Sequence, residues 1–259
     1  MKVAILCGGK GTRLKEETVF RPKPLVGIGE KPILWHIMNL YSFYGFKDFI
    51  LCLGYQGEMI KQYFLNYELM NSDFTVEFSK EHQISLHKKP CLDWRVTLAD
   101  TGMESMTGCR LKKIENYIGD DPDFMVTYGD GLANVNVQKL AAYHRNHGAI
   151  ATVTGVRPLS RFGELDVVED RVQEFREKTQ VKQGWINGGF FVFRREFFSY
   201  LTSEETCVLE QEPLERLARD GQLRIFKHGG FWQCMDTYRD MEQLNQLWRG
   251  GKAPWEVWK

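Results

Sequence analysis

The sequence lacks the features that mark nucleic-acid-binding and membrane proteins. Its 34 Lys and Arg residues equal its 34 Asp and Glu residues in number, and this balance gives no support to non-specific binding of nucleic acid or of an anionic membrane. No apolar run approaches the roughly 18 residues that span a bilayer, and no signal peptide precedes the first apolar run. We therefore expect neither a nucleic-acid nor a membrane partner.

Cysteine pairs at redox or metal-binding spacing are also absent, since no two cysteines form a C-x-x-C. Scattered cysteines in a chain of 259 residues predict free thiols in a reducing compartment. The sequence therefore predicts a cytoplasmic protein. The cysteines are Cys7, Cys52, Cys91, Cys109, Cys207 and Cys234.

Apolar runs of strand length alternate with segments of helical period through the first 156 residues. This alternation predicts right-handed crossovers and an α/β fold with a Rossmann-like, mixed but mostly parallel sheet flanked by helices. The predicted strands cover residues 3–7, 48–53, 124–128 and 149–156, and the predicted helices cover residues 32–45, 57–67, 110–118 and 137–148.

The pattern changes after about residue 156. A predicted hairpin over 164–175 and a strand over 185–193 are followed by a helix over 212–221, a strand over 223–228 and a helix over 240–251. Since no linker or repeat interrupts the chain, we expect a single domain over residues 1–259. The first half, about 1–156, would bind a nucleotide, and the second half, about 157–259, would complete the sheet and close over the site.

The first strand runs into the glycine-rich stretch CGGKGTR. It lacks the G-K-[ST] of a P-loop and, with Leu14 at the third glycine position, the complete dinucleotide fingerprint. Three glycines let backbone N–H groups converge on an anion, and Arg13 adds a planar fork for phosphate oxygens. Lys23 lies between two prolines that restrict its backbone. The alternative is a tight turn with solvated basic residues.

The stretches GGKGTRL and RPKPLV resemble the signature of the sugar nucleotidyltransferases. The segments DTGMESMTGCRLK, TYGDGLA, INGGFFV and GFWQCMDT are similar to those of one branch, the glucose-1-phosphate cytidylyltransferases, and the resemblance covers essentially the whole chain. It implies the nucleotide-diphospho-sugar transferase fold and a Mg²⁺-dependent transfer from CTP to α-D-glucose 1-phosphate, giving CDP-glucose and pyrophosphate. We find no Ser/His/Asp or Cys/His set, as expected where the attacking phosphate is already an anion.

The resemblance also implies the site residues. Asp130 and Asp236 would bind Mg²⁺, and Lys23 and Arg13 would stabilise the charge of the reacting phosphates. Ser105 and Arg110 would donate to cytosine. The remaining implied nucleotide contacts are Leu6, Cys7, Gly8, Gly9, Lys10, Gly11, Thr12 and Gly129, and the implied sugar-phosphate contacts are Glu177, Lys178, Asn187 and Gly188.

The chain departs from the family pattern at several positions. Cys7 and Lys10 stand in the glycine-rich loop where the family usually has Ala and Leu, and Thr179 stands where it has Pro after Lys178. None of the departures removes a charged catalytic group, but the change at Thr179 leaves the identity of the sugar open. The others are Arg21, Cys109 and Cys234.

Several alternatives remain at this stage. The same reaction with another sugar 1-phosphate, or with UTP or dTTP, fits the motifs, and so does a non-catalytic nucleotide-sugar sensor. A nicotinamide-dependent oxidoreductase would need the missing third glycine. His144 and His147 end a predicted helix, where we expect a surface role. Tryptophans crowd the C-terminus and predict either packing on the domain or a homo-oligomer interface; they are Trp248, Trp255 and Trp258.

Overall fold

The computed structural model describes residues 1–79, 83–87, 92–157, 164–168, 171–176 and 184–259. Seven strands form its central sheet. In chain order they are β1 Val3–Leu6, β2 Asp48–Leu53, β3 Arg95–Asp100, β4 Asp123–Tyr128, β5 Ala151–Val156, β6 Ile186–Arg194 and β7 Leu223–His228.

The strands lie in the order β7-β5-β6-β4-β1-β2-β3. The block β4-β1-β2-β3 is parallel throughout, and β5 and β7 also pair in parallel. Only β6 runs against both of its neighbours. The predicted mixed, mostly parallel sheet is confirmed, and strands from both predicted halves of the chain belong to it.

Helices cover both faces of the sheet, because successive residues of the buried strands point to opposite sides. In β1, Val3 and Ile5 join a core layer with the helices over 33–43 and 238–249, while Ala4 and Leu6 join a second layer with the helices over 107–113 and 115–118. The helices are α1 Lys15–Thr18, α2 Ile33–Phe43, α3 Gly57–Leu65, α4 Tyr67–Met70, α5 Thr107–Lys113, α6 Glu115–Ile118, α7 Val137–His147, α8 Glu212–Arg219 and α9 Tyr238–Arg249. No helix within the described residues has the length and apolar character needed to cross a membrane.

Two-stranded ribbons extend from the sheet, and one of them shapes the site. It pairs Gly131–Ala133 with Trp232–Cys234 and places Cys234 opposite Gly131. The other ribbons pair Gly27–Ile28 with Lys31–Pro32, Phe74–Glu77 with Gln83–Leu86, and Glu164–Val168 with Arg171–Arg176.

The C-terminal tryptophans pack on the domain around His36 of α2. The indole N–H of Trp255 lies 3.4 Å from Nδ1 of His36, while Nε2 of His36 is 2.9 Å from the Ile28 carbonyl oxygen. Trp255 is 1% exposed and Trp248 lies edge-on to the imidazole. The C-terminal segment therefore braces the chain that follows Lys23.

The expected surface role of His144 is wrong, because its side chain is fully buried. The hydroxyl of Thr152 lies 2.8 Å from Nδ1 of His144 and 2.7 Å from Nε2 of His147. Nδ1 of His147 accepts from the Ala149 N–H, so Nε2 carries the proton of the neutral ring and donates to Thr152, which in turn donates to His144. Helix α7 is thus attached to β5 by hydrogen bonds.

Candidate active site

A cavity of about 330 Å³ opens at the carboxyl ends of β1 and β4. Parallel sheets bind their ligands at this edge, where neighbouring strands end in loops. Most of the predicted nucleotide-binding residues lie together here. The lining residues are Leu6, Cys7, Gly8, Gly9, Gly11, Thr12, Arg13, Lys23, Pro24, Ser105, Met106, Thr107, Arg110, Tyr128, Gly129 and Asp130.

The glycine-rich loop has the conformation that its glycines were expected to permit. Gly11 adopts the left-handed region, with φ of 62°, just before a 3₁₀ turn over Thr12–Leu14, and a side chain would be strained there. Its carbonyl accepts from the Thr18 hydroxyl at 3.1 Å. Gly8 is required for a different reason, since an added Cβ would lie 2.2 Å from the Arg110 guanidinium.

Arg110 holds the loops around the cavity together. The residue is only 4% exposed, and burial lowers the pKa of its guanidinium. Its two terminal nitrogens donate to five acceptors within the protein. These are the carbonyls of Leu53 at 2.9 Å, Gly102 at 2.7 Å, Gly8 at 3.0 Å and Met103 at 3.2 Å, and the hydroxyl of Thr101 at 2.8 Å.

Two carboxylates and two cations meet at one end of the cavity. The ammonium of Lys23 lies 2.7 Å from Asp130 Oδ2 and 2.8 Å from Asp236 Oδ1. Arg13 Nη1 lies 2.7 Å from the other oxygen of Asp236. The two pairs of opposite charges neutralise each other, although Asp130 and Asp236 lie far apart in the sequence.

The pKa values of these groups follow from the pairing. Burial alone would lower the pKa of Lys23, but the charge of Asp130 and hydrogen bonds to both carboxylates raise it above its ordinary value. Burial would likewise raise the pKa of Asp236, but Lys23 and Arg13 bring it below its ordinary value. Both groups are therefore charged near neutral pH.

The carboxylates could hold a divalent metal ion. Asp130, Asp236 and Cys234 each present a donor atom, and these atoms lie within 4.8 Å of one another. Two carboxylate oxygens beside the cavity suit Mg²⁺, which prefers hard oxygen ligands. Burial is the main cause that raises the pKa of the Cys234 thiol, so it is neutral at pH 7 and the two carboxylates are the ligands that fit Mg²⁺.

Three other predicted residues are engaged with protein groups. Lys10 does not line the cavity; its ammonium binds both carboxylate oxygens of Glu104 at 2.9 Å, and Glu104 adjoins the cavity-lining Ser105. The hydroxyl of Ser105 donates to the Thr101 carbonyl at 2.6 Å. Asn187 donates to the Tyr128 hydroxyl at 3.3 Å.

Of the predicted sugar-phosphate residues, the structure describes Asn187 and Gly188 but not Glu177 and Lys178. Gly188 begins the buried stretch of β6, and its carbonyl accepts from the Trp232 indole at 2.7 Å. Neither Asn187 nor Gly188 lines the cavity. Glu177, Lys178 and Thr179 lie outside the described residues, so their predicted roles stay predictions.

The sequence did not indicate that two hydroxyls beside the cavity donate to one carboxylate. Tyr128 donates to one oxygen of Glu210, and Thr107 donates to the other at 2.6 Å. Tyr128 and Thr107 line the cavity, and burial together with Glu210 raises the pKa of Tyr128. The motif EQEPL contains Glu210, but nothing in its spacing connects it to Tyr128.

Comparison with known proteins agrees with this geometry. The chain is 49% identical over 259 residues to the "Glucose-1-phosphate cytidylyltransferase" of Salmonella typhi, covering all of both chains. It is 46% identical over 258 residues to the "Probable glucose-1-phosphate cytidylyltransferase" of Bacillus subtilis strain 168, again covering all of both chains.

Solved structures share the fold. A UDP-glucose pyrophosphorylase complexed with UDP-glucose superimposes with a TM-score of 0.68 over 96% of this chain and 98% of that one, at 14% identity. A putative glucose-1-phosphate thymidylyltransferase from Bacillus anthracis gives 0.64 over 96% and 95%, at 20% identity. The family described as "Nucleotidyl transferase" matches residues 2–247. With its glycine-rich loop, paired carboxylates and near-full-length match, the chain belongs to the nucleotidyl transferase family.

Proposed function

We propose that the protein is a glucose-1-phosphate cytidylyltransferase, which joins CTP to α-D-glucose 1-phosphate and releases pyrophosphate. The observation that carries the proposal is the position of Lys23, between Asp130 and Asp236 and against a cavity that the glycine-rich loop lines. The relatives that match over their whole length carry this activity in their names.

The reaction needs charge stabilisation and positioning. A phosphate oxygen of the sugar phosphate attacks the α-phosphorus of CTP, and the bond to the β-phosphate breaks as pyrophosphate leaves. Negative charge builds on the α-phosphate oxygens, where Lys23 and Arg13 provide positive charge and hydrogen-bond donors. The glycine-rich loop orients the triphosphate with its backbone N–H groups.

We assign Mg²⁺ to Asp130 and Asp236. When bound, Mg²⁺ would neutralise phosphate charge and fix the geometry of the triphosphate. We assign Ser105 and Arg110 to the cytosine side, and Glu177, Lys178, Asn187 and Gly188 to the sugar-phosphate side. We assign the Nε–H of Arg110 to the base, since among the described residues the hydrogen bonds of its guanidinium all come from its two terminal nitrogens.

We also place the enzyme in the cytoplasm and expect a homo-oligomer. Free cysteines at Cys7, Cys52 and Cys109 are buried and lie in no disulfide among the described residues, in keeping with a reducing compartment. Trp255 is buried in the domain, so an interface would need other residues. Phe20 and Leu65 are 70% and 78% exposed, and light scattering after size-exclusion chromatography would measure the oligomer.

Pyrophosphate release with Mg²⁺ tests the proposal, with five nucleoside triphosphates crossed against the 1-phosphates of glucose, mannose, galactose and N-acetylglucosamine. We expect the strongest signal with CTP and glucose 1-phosphate. CTP activity with a different sugar would retain the nucleotide assignment and revise the sugar. Silence across the grid from folded protein would refute the enzyme and favour a nucleotide-sugar sensor.

A further inference from the structure

The ion pairs at this end of the cavity involve the same two carboxylates that we assign to the metal ion. Lys23 binds one oxygen of Asp130 and one of Asp236, and Arg13 binds the second oxygen of Asp236. We propose that Lys23 competes with the divalent ion for Asp130 and Asp236, so that the ion binds weakly by itself and tightly only when the triphosphate offers Lys23 another anion. This inference rests on the proposed function for the identity of that anion.

Lys23 and Arg13 contact three of the four oxygens of these carboxylates, so a divalent ion competes with them for ligands. The ammonium lies within 2.8 Å of an oxygen of each carboxylate, and Asp130 and Asp236 are the residues that would hold the ion. An ion such as Mg²⁺ requires its oxygens at about 2.0–2.1 Å. Bringing a doubly charged ion beside the ammonium adds repulsion in a partly desolvated site, where charges are weakly screened. Metal binding is therefore weak while Lys23 stays on the carboxylates and stronger once it leaves.

Burial and the flanking prolines restrict where the Lys23 side chain can move. Its side chain is 10% exposed, and its backbone lies between Pro22, with φ of −64°, and Pro24, at the start of a 3₁₀ turn over Lys23–Leu25. A lysine deprived of its partners while it stays buried is strongly destabilising. It therefore exchanges its carboxylates for another anion inside the cavity, which the triphosphate supplies.

Arg13 is the weaker competitor. It contacts only one oxygen of Asp236 among the described residues, and its side chain is 73% exposed, so water can solvate its guanidinium once the pair opens. A surface ion pair of this kind contributes little to stability. The difference between the two residues gives the experiment an internal comparison, because removing Lys23 must raise metal affinity more than removing Arg13.

Metal and nucleotide are then thermodynamically coupled. If the triphosphate raises the affinity for the metal by removing Lys23 from the carboxylates, the metal raises the affinity for the triphosphate by the same factor. The exchange also keeps the site close to neutral at each stage, since Lys23 and Arg13 offset the two carboxylates before binding and the phosphates afterwards.

Electron paramagnetic resonance of Mn²⁺ tests the competition without nucleotide and without turnover. Wild type, Lys23→Met, Arg13→Gln and the control Lys47→Met are titrated with Mn²⁺, and the signal of the free ion gives the dissociation constant. Lys47 loses the same charge but pairs with Asp93 through exposed side chains. We expect Lys23→Met to bind Mn²⁺ at least tenfold more tightly than wild type, about 1.4 kcal/mol, and Arg13→Gln to gain less than threefold, about 0.65 kcal/mol.

The design separates competition from other effects. Adding Asp236→Asn to Lys23→Met is expected to abolish the gain, and Lys47→Met is expected to match wild type. If Lys23→Met does not fold, Lys23→Gln replaces it, since its amide still donates a hydrogen bond but carries no charge. Equal Mn²⁺ affinity in wild type and a folded Lys23 variant overturns the competition, as does an equal gain in Lys47→Met.

The result is independent of the proposed reaction. A gain in Mn²⁺ affinity together with silence in the pyrophosphate assay would keep the competition and reject the cytidylyltransferase. Turnover by wild type without a gain in the Lys23 variants would keep the enzyme and reject the competition.

Discussion

Replacing Arg110 by lysine separates a structural from a nucleotide-binding role. Lysine has its three donors on one atom, so it cannot reach acceptors that the guanidinium reaches from two separate nitrogens. The structure gives Arg110 four backbone carbonyls from three different segments of the chain. The carbonyls of Leu53 and Gly8 also accept from the N–H groups of Thr101 and Tyr55. Arg110→Lys therefore affects the carbonyls of Gly102 and Met103 most, since among the described residues no other hydrogen bond is found for them.

The expected loss of stability is large. Hydrogen bonds to a charged group contribute about 1.5–3 kcal/mol each, and buried groups left without a partner carry a further penalty. Since lysine retains part of the set, we expect Arg110→Lys to lower the free energy of unfolding by about 3–5 kcal/mol, the range found when a buried charged network is broken. The pocket should loosen at the same time, because the Gly8 carbonyl then keeps only the Tyr55 N–H as a donor.

Urea unfolding followed by tryptophan fluorescence measures the stability, and calorimetry measures CTP binding. Arg216→Lys is the matched control, because Arg216 forms an exposed i,i+4 pair with Asp220 and should change stability by about 0.5 kcal/mol or less. If Arg110→Lys keeps wild-type stability and loses only CTP affinity, the structural reasoning is refuted and the guanidinium acts directly on the nucleotide.

Three further results are expected. Asp130→Asn should lower kcat by roughly 10²–10³ in the pyrophosphate assay, the scale for losing one electrostatic partner of a transition state; a loss below threefold would remove Asp130 from the metal site. Lys10→Leu and Glu104→Gln should each change the calorimetric CTP affinity less than about fivefold, because their pair is exposed, and a larger loss in Lys10→Leu alone would give Lys10 a phosphate contact. Burial lowers the pKa of His36 to about 4, so the unfolded chain binds the extra proton first as pH falls from about 6.5 towards 4. Stability should fall over that range by about 3 kcal/mol from this residue, and urea unfolding of His36→Gln should show a flatter pH dependence.

The parts of the fold that came from the sequence are those with local signals. Strand β2, Asp48–Leu53, has the predicted bounds because its apolar run is buried and ends at a glycine. Strand β3, Arg95–Asp100, was not predicted, since it lies at the sheet edge with only Ala99 buried, and an edge strand carries a weak pattern. Its position depends on pairing with β2, which no local pattern contains.

The site also contains residues with local sequence signals and contacts that depend on the tertiary fold. The glycine-rich loop and Lys23 were identified because their chemistry lies within one short stretch of chain. The contact of Asp130 with Asp236 through Lys23 depends instead on the pairing of Cys234 with Gly131, a register that spacing alone cannot give. The hydrogen bond from Tyr128 to Glu210 likewise joins residues that lie far apart in the sequence.

The reversed strand β6 also separates two parts of the chain at this edge of the sheet. A parallel strand reaches this edge at its end, whereas β6 reaches it at its beginning, near Asn187, because it runs against β4 and β5. Changes of length between β5 and β6 would therefore enter near Asn187, on the side that we assign to the sugar phosphate, without shifting the register of β4-β1-β2-β3. Under that assignment, an insertion or deletion before β6 would alter the sugar side while the glycine-rich loop keeps its position on β1.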